Sequence, residues 1–351
     1  MKIAVLLSGG VDSSVALKLL KDQGHAITAF YLKIWLEDEL AYLGSCPWKE
    51  DLDYAKKVCK QLDVPLEIIS LQKEYHDEIV AYTIAEIKAG RTPNPDVLCN
   101  SRIKFGMFLN AIDPSFEKVA TGHYAQLKEV DGQMQLLRSP DPIKDQSYFL
   151  SHLNQEQLKR ALFPIGHLTK AELRKLADQF DLPTKDRKDS QGLCFLGKLK
   201  FRDFVKHYLG EKRGPMIEVE TGMAVGEHNG FWFYTMGQRQ GLGLAGGPWY
   251  VVDKDPTKNI IYISRSYYSP EKSRDAFEVD RCNWFIDVPQ QAQSFQVKMR
   301  HGAQRYDCTV TPQDNGRMAV KLHDRDQGIA PGQFAVFYDD TRCVGSGVIA
   351  R

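Results

Sequence analysis

The stretch from Ile3 to Leu20, IAVLLSGGVDSSVALKLL, constrains this chain more than any other. Its apolar run Ile3, Ala4, Val5, Leu6 and Leu7 predicts a buried parallel strand. The run stops at Ser8-Gly9-Gly10, where two glycines let the backbone turn sharply and come close to a ligand. Asp12, Ser13 and Ser14 then open a helix whose Val15, Ala16, Leu19 and Leu20 face the sheet. Strand, glycine turn and helix start aim backbone N–H groups and the positive helix end at one spot. Such a spot is an anion site.

Strand and helix patterns go on alternating through the first half. Strands are expected at 26–32, 66–71 and 118–121, and helices at 52–62, 78–89, 155–161 and 170–180. The last of these is opened by Thr169, with Glu172 three positions on. This order predicts a parallel, doubly wound sheet with helices on both faces and ligands at the carboxyl ends of its strands. From about Met216 short alternating runs take over: 223–227, 231–234, 249–253, 260–264, 295–300, 306–311, 318–322, 334–338 and 345–350. Turn signals such as Asp314-Asn315-Gly316 and Pro331-Gly332 separate them. The expected organisation is an α/β domain over 1–209, a small β-rich domain over 210–275 and a β-barrel over 276–351.

At 351 residues the chain is long enough for two or three cores. Its 43% hydrophobic and 26% charged content is that of an ordinary soluble protein. No apolar run reaches the length of a membrane span and the first strand starts at the N-terminus, so no membrane partner and a cytoplasmic location are expected. The net charge of +1 means that nucleic acid would need a local basic face. Arg265, Arg281, Arg300 and Arg305 are candidates for one, with scattered surface charge as the simpler alternative. The seven cysteines, Cys46, Cys59, Cys99, Cys194, Cys282, Cys308 and Cys343, are odd in number and scattered. They argue against a disulfide scaffold and for one or two chemically used thiols. Cys59 shares an apolar face with Leu52, Ala55 and Leu62 and reads as core.

Two cysteines stand in loops. In RTPNPDVLCNSRIKF (91–105), Pro93 and Pro95 block helix, and Cys99 is delivered to the start of a helix running from Asn100 toward Leu109. A helix N-terminus should lower the thiol pKa, with Arg91, Arg102 and Lys104 helping if near. In DLPTKDRKDSQGLCFLG (181–197), a polar loop carries Cys194 among glycines and charges.

The spacing S-G-G-x-D-S is neither the Walker pattern nor G-x-G-x-x-G. It resembles the pyrophosphate loop of the ATP pyrophosphatases, which cut ATP between its α- and β-phosphates. More specifically, LSGGVDSS (7–14), GRTPNPDVLCN (90–100), ATGHYA (120–125), KDQSYFL (144–150), KDSQGLCF (188–195) and MGQRQGLG (236–243) resemble the tRNA-specific 2-thiouridylase family. That resemblance implies ATP on Leu7, Ser8, Gly9, Gly10, Val11, Asp12, Ser13 and Ser14, with its adenine near Leu32 and Gly122. It implies that Asp12 helps place Mg²⁺ and that Asn94, Pro95 and Asp96 meet the target base. His123, Lys144, Asp145, Gln146, Arg305, Tyr306 and Gln333 would touch the tRNA, whose acceptors would be lysine, glutamate and glutamine tRNAs. Cys194 would carry a persulfide received from a sulfur-donor protein or cysteine desulfurase relay, and Cys99 would be the partner nucleophile. Leu32 stands where relatives commonly have methionine, and the segment 36–48, with Cys46, is left unassigned.

Other readings remain at this stage. Another ATP pyrophosphatase, an amidotransferase-type or argininosuccinate-type ligase, needs the loop but has no use for the two thiols. A redox-switched RNA-binding protein would use the thiols but not the loop. The same thiolation could also run through a [4Fe-4S] cluster on Asp96, Cys99 and Cys194. His123 has an alternative as a strand-end histidine, Arg305-Tyr306 as a barrel surface pair, and 231–234 as a plain buried strand.

Overall fold

The computed structural model describes residues 1–34, 48–189, 200–266 and 274–350. Among them, the first half forms a five-stranded sheet of β1 (Lys2–Leu6), β2 (Ala26–Lys33), β3 (Leu66–Ser70), β4 (Lys118–Ala120) and β7 (Ala161–Leu162). All pairings are parallel, in the order β3-β2-β1-β4-β7. The order runs one way from β1 to β3 and the other way through β4, so the end of β1 lies at the topological switch where such sheets hold ligands. The alternation of β1 feeds two cores. Ile3, Val5 and Leu7 enter one, with Val15 and Ala16 of α1 (Val11–Asp22) and Leu52 and Ala55 of α2 (Trp48–Leu62). Ala4 and Leu6 enter the other, with a helix over 72–88 (α3) and one over 95–111 (α4). Cys59 lies in the first core, as its apolar face implies.

Several elements fall where the sequence pattern showed none, among them a hairpin of β5 (Ala125–Val130) and β6 (Gln133–Arg138) after β4, the short helix α5 (Ser147–Leu150) and, further on, α8 (Phe201–Leu209). Between these two helices lie α6 (Gln155–Arg160) and α7 (Lys170–Gln179), the helices expected at 155–161 and 170–180. The capping box expected at Thr169 is present: Thr169 Oγ1 accepts from the Glu172 amide at 3.3 Å and Glu172 Oε2 accepts from the Thr169 amide at 2.7 Å. One expectation fails in the central domain. Phe231–Phe233 is a single 3₁₀ turn, not a strand, because Gly230 enters it at φ +138° and turns the chain inward. The buried side chains of Phe231 and Tyr234 meet Met216, Trp249 and Val251 there. Around this core runs the sheet β10-β11-β8-β9, made of β8 (Gly214–Glu218), β9 (Ala224–His228), β10 (Tyr250–Asp255) and β11 (Ile260–Ser264).

The C-terminal barrel consists of β12 (Arg274–Trp284), β13 (Gln293–Lys298), β14 (Tyr306–Pro312), β15 (Met318–Asp326), β16 (Phe334–Asp339) and β17 (Arg342–Ile349). Its order β12-β15-β14-β13-β16-β17 closes through β12 pairing with β17. Closure removes free sheet edges. The hairpin β5–β6 adds to it, Arg342 and Cys343 pairing with Leu137 and Leu136. The α/β half therefore contributes strands to the barrel's own sheet. Lys298 of β13 and Asp145 meet at 2.9 Å with both side chains fully buried. No helix among the described residues is long and apolar enough to cross a membrane.

Candidate active site

The loop after β1 has the geometry of an anion cradle. Gly9 stands at φ +76°, and a Cβ there would meet the Asp51 carbonyl oxygen at 2.1 Å, so only glycine fits. Gly10 caps α1 without any side chain bonding to the first-turn amides. The serine hydroxyls brace the loop: Ser13 Oγ accepts from the Ser8 amide at 3.2 Å and Ser14 Oγ donates to the Gly10 carbonyl at 2.8 Å. Arg187 donates to the Gly9 carbonyl at 2.6 Å and to Asp51 Oδ1 at 2.7 Å, which holds the loop from outside. Loops following β4 and β7 complete the rim. Gly122 lies so near α1 that a Cβ would come 2.7 Å from the Ser13 nitrogen. Leu32, half-buried near the end of β2, packs against the second core.

Asp12 does not stand free for a metal. Its Oδ1 accepts from Tyr124 Oη at 2.8 Å and from Lys170 Nζ at 2.7 Å. Lys170 also reaches Asp189 at 2.7 Å, and Asp189 takes Lys144 at 2.6 Å and Arg174 at 2.7 Å. These cations hold the Asp189 carboxyl far below the usual range despite its partial burial. Lys170, Arg174, Arg187 and Asp189 carried no sequence signal of their own. Their only traces were the helix cap at Thr169 and the basic texture of 181–189. Among the described residues no group of three His, Cys, Asp or Glu side chains gathers as a metal cage needs. Asp12 is thus ion-paired with Lys170, and a Mg²⁺ brought in by ATP would take most of its ligands from phosphate oxygens and water.

The cysteine site differs from expectation in a second way. Pro95 occupies the first turn of α4, where its missing N–H costs nothing, so the helix starts before Cys99. Cys99 is thereby one turn inside and 1% exposed among Val97, Leu98 and Ile103. Burial pushes its thiol pKa up, with Asp96 adding to the rise and Lys104 and Tyr75 opposing it. Desolvation outweighs the helix end. Arg91 and Arg102 are spent on Glu86 and Glu78, at 2.6 and 2.8 Å. His123 is half-buried between the two sites. Its Nδ1 meets Thr121 Oγ1 at 2.7 Å and its ring packs edge-on against Phe163, 5.9 Å away, which in turn packs on Phe105 of α4. Burial and Lys104 hold this imidazole neutral, well below its usual pKa.

The barrel reaches into the same region. Gln333 Nε2 donates to the Thr92 and Pro93 carbonyls at 3.1 and 3.0 Å, and its Oε1 accepts from Asn94 Nδ2 at 3.4 Å. The loop carrying Asn94, Pro95 and Asp96 is thus clasped by the barrel. Five further residues expected at the tRNA also have partners within the chain. Asp145 is fully buried between Lys298 and Arg138, so its carboxylate supports the fold and does not face a ligand, a correction. Gln146 Oε1 accepts from the Tyr124 amide at 3.0 Å, and Lys144 is the residue that reaches Asp189. Arg305 donates to Gln296 at 2.7 Å, and Tyr306 Oη bonds Asp326, on the barrel wall. Cys194 and Cys46 lie outside the described residues. Cys59, Cys99, Cys282, Cys308 and Cys343 are free thiols.

Comparison with known proteins agrees with this layout. Residues 1–198 match the model of the tRNA methyl transferase HUP domain, 202–265 its PRC-barrel domain, and 274–349 the aminomethyltransferase β-barrel domain. The tRNA-specific 2-thiouridylase MnmA of Parabacteroides distasonis is 42% identical over 99% of this chain and 99% of its own length. MnmA 1 of Bacteroides thetaiotaomicron is 43% identical over 100% of both chains. MnmA 2 of Bacteroides fragilis is 44% identical over 99% of this chain and all of its own. The chain belongs to the tRNA-specific 2-thiouridylase family. The matched domains cover the barrel as well as the glycine loop. A U34-tRNA thiolase NcsA from Methanococcus maripaludis with its [4Fe-4S] cluster is 20% identical over 59% of this chain, at a TM-score of 0.35, too slight to bear on the site.

Proposed function

We propose that this protein converts the wobble uridine of tRNA to 2-thiouridine at the expense of ATP. The observation that carries the reading is the uncapped helix start behind Ser8–Ser14, ringed by Lys170 and Arg187, within one clasped unit with Asn94, Asp96 and Cys99. Oxygen is a poor leaving group from C2 of uridine. Attack of that oxygen on the α-phosphorus of ATP makes it AMP-linked and expels pyrophosphate. The first-turn amides of α1 are placed to stabilise the departing pyrophosphate, and Lys170 to shift from Asp12 onto the new charge.

Sulfur then arrives from a persulfide on Cys194, loaded by a sulfur-donor protein. Its terminal sulfur attacks C2, and AMP leaves. Cys99 attacks the Cys194 sulfur, breaks the S–S bond to the nucleoside and leaves a Cys99–Cys194 disulfide, which a two-electron reductant resets. In a second order of events Cys99 attacks first and releases hydrosulfide as the nucleophile. Lys144, Gln146, His123 and Arg305 remain the residues we assign to the tRNA-facing side.

The test is thiolation of an unmodified tRNA transcript with ATP, Mg²⁺ and sulfide or a persulfide donor. Wild type is compared with Cys99→Ala and Cys194→Ser, each prepared with and without iron reconstitution. Donor-dependent thiolation without iron, lost in Cys194→Ser, is the expected result. Activity only after reconstitution would transfer both thiols to a cluster. Pyrophosphate release without thiolation would return the chain to the ligases.

A further inference from the structure

Where the barrel meets the α/β half, two rings are stacked within reach of solvent. His301, in the loop between β13 and β14, lies over Phe149 with centroids 4.7 Å apart and planes 26° from parallel. Tyr148 abuts the imidazole edge at 6.4 Å and 65°. Tyr148 is fully buried and Phe149 half-buried, whereas His301 is exposed.

The stack is tied to the thiol site from three directions. Asn100, the residue after Cys99, donates to the Phe149 carbonyl at 3.0 Å. The Asn94 side chain lies beside Tyr148, whose Oη donates to the Phe334 carbonyl at 3.0 Å. The Asp96 carboxylate lies near enough to act on the imidazole. Desolvation, with Lys298 behind it, nevertheless keeps the imidazole pKa below its usual value, so the ring is neutral at pH 7. A neutral, exposed ring offers no charge to a phosphate. What it offers is a π face.

Pulling one nucleotide out of an RNA loop breaks its stacking with both neighbours, and a protein ring that replaces one of those contacts recovers much of that loss. The target uridine has to turn its C2 edge toward Asp96, Cys99 and the nucleotide loop. His301 belongs to the barrel and lies within electrostatic reach of Asp96, so a base next to the target uridine could reach its exposed face. We infer that the His301–Phe149 stack is a platform for the nucleobase flanking the target uridine. This rests on the tRNA-thiolation reading, and the test separates the two.

The probe is an anticodon stem-loop with a wobble uridine and 2-aminopurine as its 3′ neighbour, titrated into the full chain. Wild type should quench the 2-aminopurine on binding. His301→Ala should lose the quench and weaken binding roughly five- to hundredfold, the range for loss of one base–aromatic stack. His301→Phe and His301→Trp should restore both, and ATP affinity should be the same in all four proteins. A purely structural histidine would not be rescued by either ring. Unchanged quench and affinity in His301→Ala, or failure of both rescues, would overturn the platform. Wild type that thiolates tRNA and binds the probe without quenching would overturn it too, with the tRNA reading intact. Wild type that neither binds nor thiolates would overturn both.

Discussion

Gly122 touches the first turn of α1 through bare backbone, and the nearest atom to an added Cβ is the Ser13 nitrogen at 2.7 Å. Backbone cannot swing aside as a side chain can. Gly122→Ala is therefore expected to displace the cradle by a few tenths of an ångström to an ångström and lower kcat/KM for tRNA-dependent pyrophosphate release by about a hundredfold. Release at the wild-type rate would mean that the loop yields. Cys99 makes a second prediction at this scale. Being buried and poorly ionised, it should react with iodoacetamide at pH 8 about tenfold or more slowly than a free cysteine. Peptide mass spectrometry with and without urea reads this, and equal rates in both would contradict the burial. Any reaction at Cys99 then requires the loop 91–96 to open it, and Gln333 of the barrel holds that loop.

At the scale of elements, α7 shows how local chemistry serves the site. Its capping box sets the first residue of the helix, and that residue is Lys170. Thr169→Ala should cost about 1 kcal/mol of stability by loss of the cap. It should also weaken ATP binding, because Lys170 loses its fixed origin. Calorimetry and nucleotide titration separate the two effects, and a stability loss with unchanged ATP affinity would remove Lys170 from the cradle. This cap was plain in the sequence because it depends on residues three apart. The start of α4 was not, because Pro95 blocks a helix interior yet suits a first turn, and which of these applies is set by the packing of Val97 and Leu98. Similarly, Phe231–Phe233 has the composition of a strand but follows a glycine whose φ only the folded chain reveals.

Across the whole molecule, the two halves are joined by buried polar groups. Lys298 on β13 and Asp145 beside α5 are both fully buried, and Asp145 also bonds Arg138 and Ser147. Lys298→Met leaves an internal carboxylate short of a partner and should cost about 3 kcal/mol, the low end for a broken buried pair since Arg138 remains. Urea unfolding measures it, and a loss under 1 kcal/mol would place the seam's stability elsewhere. His152 adds a pH dependence at the same seam. It packs edge-on to Phe334 at 5.3 Å and meets Ser346 Oγ at 3.3 Å. Burial lowers its pKa from 6.5 to about 4. The folded state thus favours the neutral ring. The unfolded chain binds the extra proton between those values, so stability is full above pH 6.5 and falls by about 3 kcal/mol as pH drops to about 4. His152→Phe should flatten that part of the stability–pH curve, and a curve identical to wild type would locate the acid sensitivity in another group.

Periodicity and local turn chemistry determined by themselves the alternating α/β half, the all-β second half and the cradle after β1, because each depends on residues within one or two turns of one another. The pattern LSGGVDSS was legible for the same reason. Only the tertiary structure decided the rest: that Lys170 and Arg187 face a loop more than 150 residues away in sequence, that a hairpin of the first half joins the barrel sheet, that Asp145 is internal, and that Cys99 is desolvated. Charge pairing and burial are properties of neighbours in space, and a chain's sequence lists only its neighbours along the backbone.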